Sequence, residues 1–209
     1  MKYKWLKKTN SKELIIFFNG WGMDDYIVSS LDCGSYDVVV LYDYNDLCLD
    51  LDFEGYSKKH VVAWSMGVMI STMFYFDGVN SRAAISGTPF PISDEFGIPE
   101  RIYNLTIRGF SENSVQKFMK RMFDKPNNLV KFSDRILENQ KTELVAITRY
   151  SADENCKFSK VFIPKNDLII PTKNQLNYWS KQDVFKVEIP SGHCPFLEFK
   201  SWSEILVGL

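Results

Sequence analysis

Histidine is scarce in this chain. Its 209 residues include two, His60 and His193. A histidine-rich metal site is therefore excluded, and a mechanism that needs an imidazole has two candidates. Cysteine is thin as well: Cys33, Cys48, Cys156 and Cys194 are scattered, with no CxxC pair. That removes zinc-type spacing and leaves free thiols in a reducing cytoplasm as the expectation. No apolar run approaches the roughly 20 residues that span a bilayer, so no membrane partner is expected. The basic start MKYKWLKKTN has no apolar stretch behind it, and no signal peptide is expected. Charge of one sign is lacking too. With 25 basic and 26 acidic residues the net charge is −1, which argues against a nucleic-acid binder working by bulk electrostatics. Internal repeats and low-complexity segments are also missing.

What the chain does have is core material. It is 45% hydrophobic and 15% aromatic, enough for one globular domain without disulfides. Short apolar runs recur through the first half: Leu14–Phe18, Val38–Tyr42, His60–Trp64 and Arg82–Ile85. They do not alternate with polar residues, which marks strands covered on both faces, as in a parallel sheet. The helical stretches between them suggest βαβ units. One such helix is expected from Ser65 to about Asp77-Gly78. From about Pro91 to Tyr150 strand signals vanish. Val115, Phe118, Met119, Met122 and Phe123 instead fall on one helical face, and 128–150 reads as one or two further helices. The strand rhythm returns with Lys160–Ile163, a helix opening at Pro171, Val184–Ile189 and a closing helix near Phe199–Val207. The expected architecture is a single α/β domain over 1–209, a mostly parallel sheet flanked by helices, with a small helical cap inserted at about 91–150.

Ala63-Trp-Ser-Met-Gly67 is the sharpest local feature. A serine on a tight strand-to-helix turn, with small residues two before and two after it, has its hydroxyl above the sheet. The amide that follows, Met66, then lies at a helix N-terminus and suits an oxyanion. A serine nucleophile needs a base. His193 follows the last strand, so its loop gathers at the same carboxyl-end rim as Ser65. His60 begins its strand at the far rim, about 15 Å from Ser65 in an extended chain, and reads as structural. The base needs an orienting carboxylate, and Asp167 follows the next-to-last strand at the same rim. The order Ser65, Asp167, His193 is the order α/β-hydrolases use. A second oxyanion amide is expected from Trp21 in Asn19-Gly-Trp-Gly22, where glycines permit close approach; a plain strand-to-helix turn is the simpler reading of that loop.

At these residues the sequence resembles α/β-hydrolases, and more narrowly the BioG-type pimeloyl-[acyl-carrier protein] methyl ester esterases of bacterial biotin synthesis. The stretches that carry the resemblance are Phe17-Phe-Asn-Gly-Trp-Gly22, Tyr42-Asp-Tyr-Asn-Asp-Leu47, Val62-Ala-Trp-Ser-Met-Gly-Val68, and Ser86-Gly-Thr-Pro89 with Asp94-Glu-Phe-Gly-Ile-Pro99. The resemblance implies a cofactor-free and metal-free serine carboxylesterase with Ser65 as nucleophile, His193 as base and Asp167 as acid. It implies an acyl-carrier protein bearing pimeloyl methyl ester as the partner, met by a cytoplasmic monomer. Trp21, Trp64 and Met66 flank the site and are expected to line an acyl pocket, with a plain core role as the other reading. Eight basic and three acidic residues lie between Arg101 and Arg135. Of these, Lys117, Lys120 and Arg121 fall opposite the apolar helical stripe, where an acidic carrier protein would dock; a solvated helix face is the alternative. An acyl thioesterase, a general short-chain esterase, a non-catalytic scaffold and a Cys194 mechanism are the competing functional readings.

Overall fold

A computed structural model of the protein describes residues 1–123 and 133–207. The sheet has seven strands in the order β1-β3-β2-β4-β5-β6-β7. They are β1 (Lys2–Lys7), β2 (Glu13–Phe18), β3 (Asp37–Tyr42), β4 (Lys58–Trp64), β5 (Val79–Ile85), β6 (Lys160–Pro164) and β7 (Phe185–Ile189). All neighbours run parallel except β1, which pairs antiparallel with β3. Among the described residues the helices are α1 (Gly67–Thr72), α2 (Glu100–Arg108), α3 (Glu112–Arg121), α4 (Leu137–Ile147), α5 (Thr172–Trp179) and α6 (Trp202–Val207). The expected mostly parallel sheet flanked by helices is the one observed.

The unbroken apolar strands follow from burial on both sides. Along β2, Leu14, Ile16 and Phe18 face one core with Met69, Ile70 and Trp179. Ile15 and Phe17 face the other, with Phe196, Trp202 and Ile205. Alternate side chains of a strand point to opposite faces, so a strand with a core on each side has no polar positions to spare.

The chain turns back on itself at β2. Its successor β3 lies on one side and β4 on the other, so the loops leaving β2 and β4 diverge and open a crevice at their carboxyl ends. Between β5 and β6 lie α2, α3 and α4. The Tyr103 hydroxyl of α2 donates to the Leu144 carbonyl of α4 at 2.8 Å. Part of the expected further helix, residues 128–132, lies outside the described residues, as do Lys125 and Lys131; the described remainder forms the single helix α4.

Two expectations need correction, and one element was not anticipated. The basic N-terminal segment, to which the sequence assigns no element, forms β1. It is an edge strand whose residues are exposed or half-buried, so it carries no apolar run to betray it. The helix after Ser65 starts at Gly67 and ends at Thr72, well before Asp77. The Ser71 and Thr72 hydroxyls bond back to the Val68 and Met69 carbonyls, and Arg82 takes the Ser71 and Phe74 carbonyls, closing the helix. Phe74 and Phe76 then fold against Phe18. The closing helix starts at Trp202 rather than near Phe199, after a short 3₁₀ turn at Phe196–Glu198.

Candidate active site

The turn between β4 and α1 puts Ser65 at φ +56°, a left-handed conformation that costs a non-glycine residue about 1–3 kcal/mol. The Ser65 amide donates to the Ile85 carbonyl at the end of β5 at 2.9 Å, which fixes the turn against the sheet. Gly67 is what lets the turn close. A Cβ there would overlap the carbonyl oxygens of Phe18 and Asn19, so α1 can lie this near β2 only with glycine at its start.

Three loops bring the predicted site residues together. His193 Nε2 lies 2.8 Å from Ser65 Oγ, and His193 Nδ1 lies 2.7 Å from Asp167 Oδ2. All three side chains are buried. With Nδ1–H donated to the carboxylate, Nε2 is free to accept the serine proton, which is the tautomer a general base requires. Asp167 is held hard. Its Oδ1 accepts the Ile169 and Ile170 amides at 2.8 and 3.0 Å. Its Oδ2 also accepts Gln175 Nε2 at 2.8 Å, and the same amide group donates to the Ile170 carbonyl. The histidine loop is tied down from two sides: Trp64 Nε1 donates to the His193 carbonyl at 2.9 Å, and the Cys194 amide donates to the Met122 carbonyl beyond α3 at 2.8 Å.

The other predicted residues are placed as follows. Met66 follows the serine as the N-cap of α1. The Trp21 indole is buried, set edge-on to Phe110 and Phe118, with Nε1 on the Gln140 carbonyl at 2.8 Å. The Trp64 ring is 1% exposed and wedged beside His193 and Phe196, so it is committed to the core and to the histidine loop. Lys117, Lys120 and Arg121 are exposed on α3, while Met119 turns inward. His60 is apart from the others. Its Nδ1 pairs with Ser81 Oγ at 2.8 Å near the entry of β4, and burial pulls its pKa down. Burial pushes the Cys194 thiol up to about 12, so it carries no thiolate at neutral pH.

Residues with no signal in the sequence complete the surroundings. Gln175, behind Asp167, sits in an unremarkable Thr-Lys-Asn-Gln stretch. Gln140 and Glu143 on α4 grip the loop after β2: the Gly22 amide donates to Glu143 Oε2 at 3.0 Å. Their one trace is the i, i+3 spacing that puts two polar residues on the buried side of a helix.

Comparison with known proteins bears on this geometry. The family model described as "Pimeloyl-ACP methyl esterase BioG" matches residues 1–205. A crystal structure of BioG from Haemophilus influenzae superimposes with a TM-score of 0.91 at 30% identity, covering 98% of this chain and 99% of that one. A malonyl-[acyl-carrier protein] O-methyltransferase of Bacteroides fragilis is 36% identical over 181 residues. That match takes in 81% of this chain but spans 37% of the Bacteroides protein's length. A lipase-esterase related protein of Clostridium acetobutylicum shares the fold, with a TM-score of 0.64 at 14% identity over 94% of this chain and 92% of that one.

Proposed function

The chain belongs to the BioG family of pimeloyl-ACP methyl esterases, and from that premise we propose that it hydrolyses the methyl ester of pimeloyl-[acyl-carrier protein] by a serine mechanism. The observation that carries the proposal is the buried chain of hydrogen bonds from Ser65 through His193 to Asp167. Ser65 Oγ attacks the ester carbonyl while His193 Nε2 takes its proton. Asp167 keeps the imidazole in the required tautomer and stabilises its charged form. The amides of Met66 and Trp21 hold the oxyanion. His193 then returns the proton to the departing methanol. A water molecule, deprotonated by His193, attacks the acyl-enzyme and releases the free carboxylate.

The surroundings fit this chemistry. The left-handed backbone at Ser65 and the tight seat of Gly67 belong to a nucleophile turn. In this reading the buried Trp21 and Met66 are the residues that line the acyl path. The segment at about 91–150 serves as the lid over that path, and the exposed Lys117, Lys120 and Arg121 of α3 are the dock for the acidic carrier protein, in the cytoplasm and as a monomer. The test is methanol release from pimeloyl-[acyl-carrier protein] methyl ester by wild type and Ser65→Ala. Removing the nucleophile is expected to lower kcat by about 10⁴-fold or more. Hydrolysis by Ser65→Ala near the wild-type rate would end the triad assignment. Turnover of free-acid acyl thioesters in preference to the methyl ester would move the protein to the thioesterases.

A further inference from the structure

Glu143 is a fully buried carboxylate to which the reaction chemistry gives no task. Its Oε1 accepts the Tyr44 amide at 2.7 Å. Its Oε2 accepts the Gly22 amide at 3.0 Å and Arg135 Nη1 at 2.7 Å. Arg135 is nearly buried too, and its Nη2 reaches Asp43 Oδ1 at 3.1 Å. One turn before Glu143 on α4, Gln140 accepts the Trp21 indole N–H on its carbonyl and sends its side-chain amide to the Gly22 carbonyl at 3.4 Å. Trp21 and Gly22 are thus gripped at an indole N–H, a peptide N–H and a carbonyl, all by one face of α4.

Burying an ion pair is a poor way to dock a helix, because apolar side chains of the same volume do so without the desolvation cost. What the pair adds is direction. Gly22 has φ +75°, a conformation with no side chain of its own to lock it. The carboxylate of Glu143 sets the plane of the Trp21–Gly22 peptide, and the anchored indole sets the other side of the Trp21 Cα. The Trp21 N–H lies on the preceding Gly20–Trp21 peptide, whose carbonyl accepts the Met23 amide at 3.4 Å, so both peptides flanking Trp21 belong to one turn that α4 holds.

We propose that Glu143, charge-compensated by Arg135, is a positioning residue for the oxyanion hole: through the Gly22 amide it holds the turn from Gly20 to Met23 so that the Trp21 amide meets the reacting carbonyl oxygen, and so makes the hole depend on the docking of α4. This rests on the reading of Trp21 as an oxyanion donor. Glu143 touches no reacting atom and acts through the turn it holds.

The test compares Glu143→Gln with Glu143→Gln/Arg135→Met, using p-nitrophenyl butyrate as a substrate that needs no carrier protein. A glutamine accepts one of the two amides and confronts the other with an N–H. The double variant also removes the unpaired guanidinium and is the one expected to keep its thermal midpoint. In both, kcat is expected to fall about tenfold to a hundredfold, less than the roughly 10²–10³-fold of losing a donor outright, with KM nearly unchanged. Inhibition by a short-chain trifluoromethyl ketone, whose serine adduct carries an oxyanion, weakens by the same factor. Wild-type kcat in Glu143→Gln overturns the inference. So does recovery of kcat together with the thermal midpoint in the double variant, since that is the mark of a purely structural pair. Ser65→Ala separates the two levels: if it is inactive while Glu143→Gln is unaffected, the inference alone fails; if Ser65→Ala still hydrolyses the ester, the reading beneath it fails too.

Discussion

Gln175 holds the far side of the Asp167 carboxylate, on the same Oδ2 atom that faces His193. A hydrogen bond to a charged group contributes about 1.5–3 kcal/mol, and part of that is orientation of the acid. Gln175→Ala is expected to lower kcat/KM about tenfold, equivalent to roughly 1.4 kcal/mol of barrier. Wild-type kcat/KM in Gln175→Ala would assign Gln175 to packing alone. At this scale the sequence is legible where topology constrains it. Ser65, Asp167 and His193 each follow a strand, so strand order alone puts them at one rim, and the structure brings them within hydrogen-bond reach. Gln175, Glu143 and Arg135 are illegible for the opposite reason. Their partners come from the docking of one element on another, which the sequence does not record beyond the i, i+3 spacing of Gln140 and Glu143. The glycine two after the serine is absolute because its Cβ has nowhere to go, whereas Ala63, inside β4, takes the place two before it.

Among the elements, α3 is the one whose two faces read most clearly. Val115 and Phe118 pack against the core, a capping box at Ser111 and Ser114 starts the helix, and the basic residues remain outside. Reversing Lys117, Lys120 and Arg121 to glutamate leaves this inner face alone. It is expected to raise KM for the carrier-borne substrate by about tenfold or more, through lost electrostatic complementarity, while the KM for p-nitrophenyl butyrate stays put. Raising ionic strength should mimic the effect in wild type. Equal KM values for the carrier-borne substrate would leave α3 a solvated face. The parallel strands were legible because each is covered on both sides. β1 was not, because an edge strand needs little apolar burial. The early end of α1 was hidden for another reason: it depends on Arg82, which arrives from the next strand to take the last carbonyls.

At the scale of the whole molecule, two carboxylates stitch the β3 side of the sheet to its surroundings. Burial pushes the Asp37 carboxyl up, but the Thr9 amide and hydroxyl, the Ser11 amide and the Tyr56 hydroxyl outweigh it and hold it below its ordinary 3.8. Burial likewise opposes ionisation of Asp43, yet Asn45, Lys2 and Arg135 hold it down at about 2. Groups depressed on folding stabilise the protein above their unfolded pKa, and that contribution is lost as pH falls through the folded value. Glu143 has the opposite sign: burial raises it against the pull of Arg135, so it favours the fold below its ordinary pKa and loses that contribution as pH rises through its folded one. The thermal midpoint is therefore expected to drop between about pH 4 and pH 2, and Asp37→Asn to flatten that drop while lowering the plateau at neutral pH. A drop of unchanged steepness in Asp37→Asn would assign acid unfolding to other groups. The sheet's two outer strands bear on a different matter, how the chain behaves in a crowd of its own copies. At one margin β1 presents Lys2 and Lys4; at the other β7 presents Lys186 and Glu188, all exposed. A parallel sheet is slow to assemble and spends time with its margins bare. Charges planted along both margins make each an unwelcoming template for a neighbouring strand, so the feature that hid β1 from a hydrophobic reading also guards the unfinished sheet against growing into an aggregate.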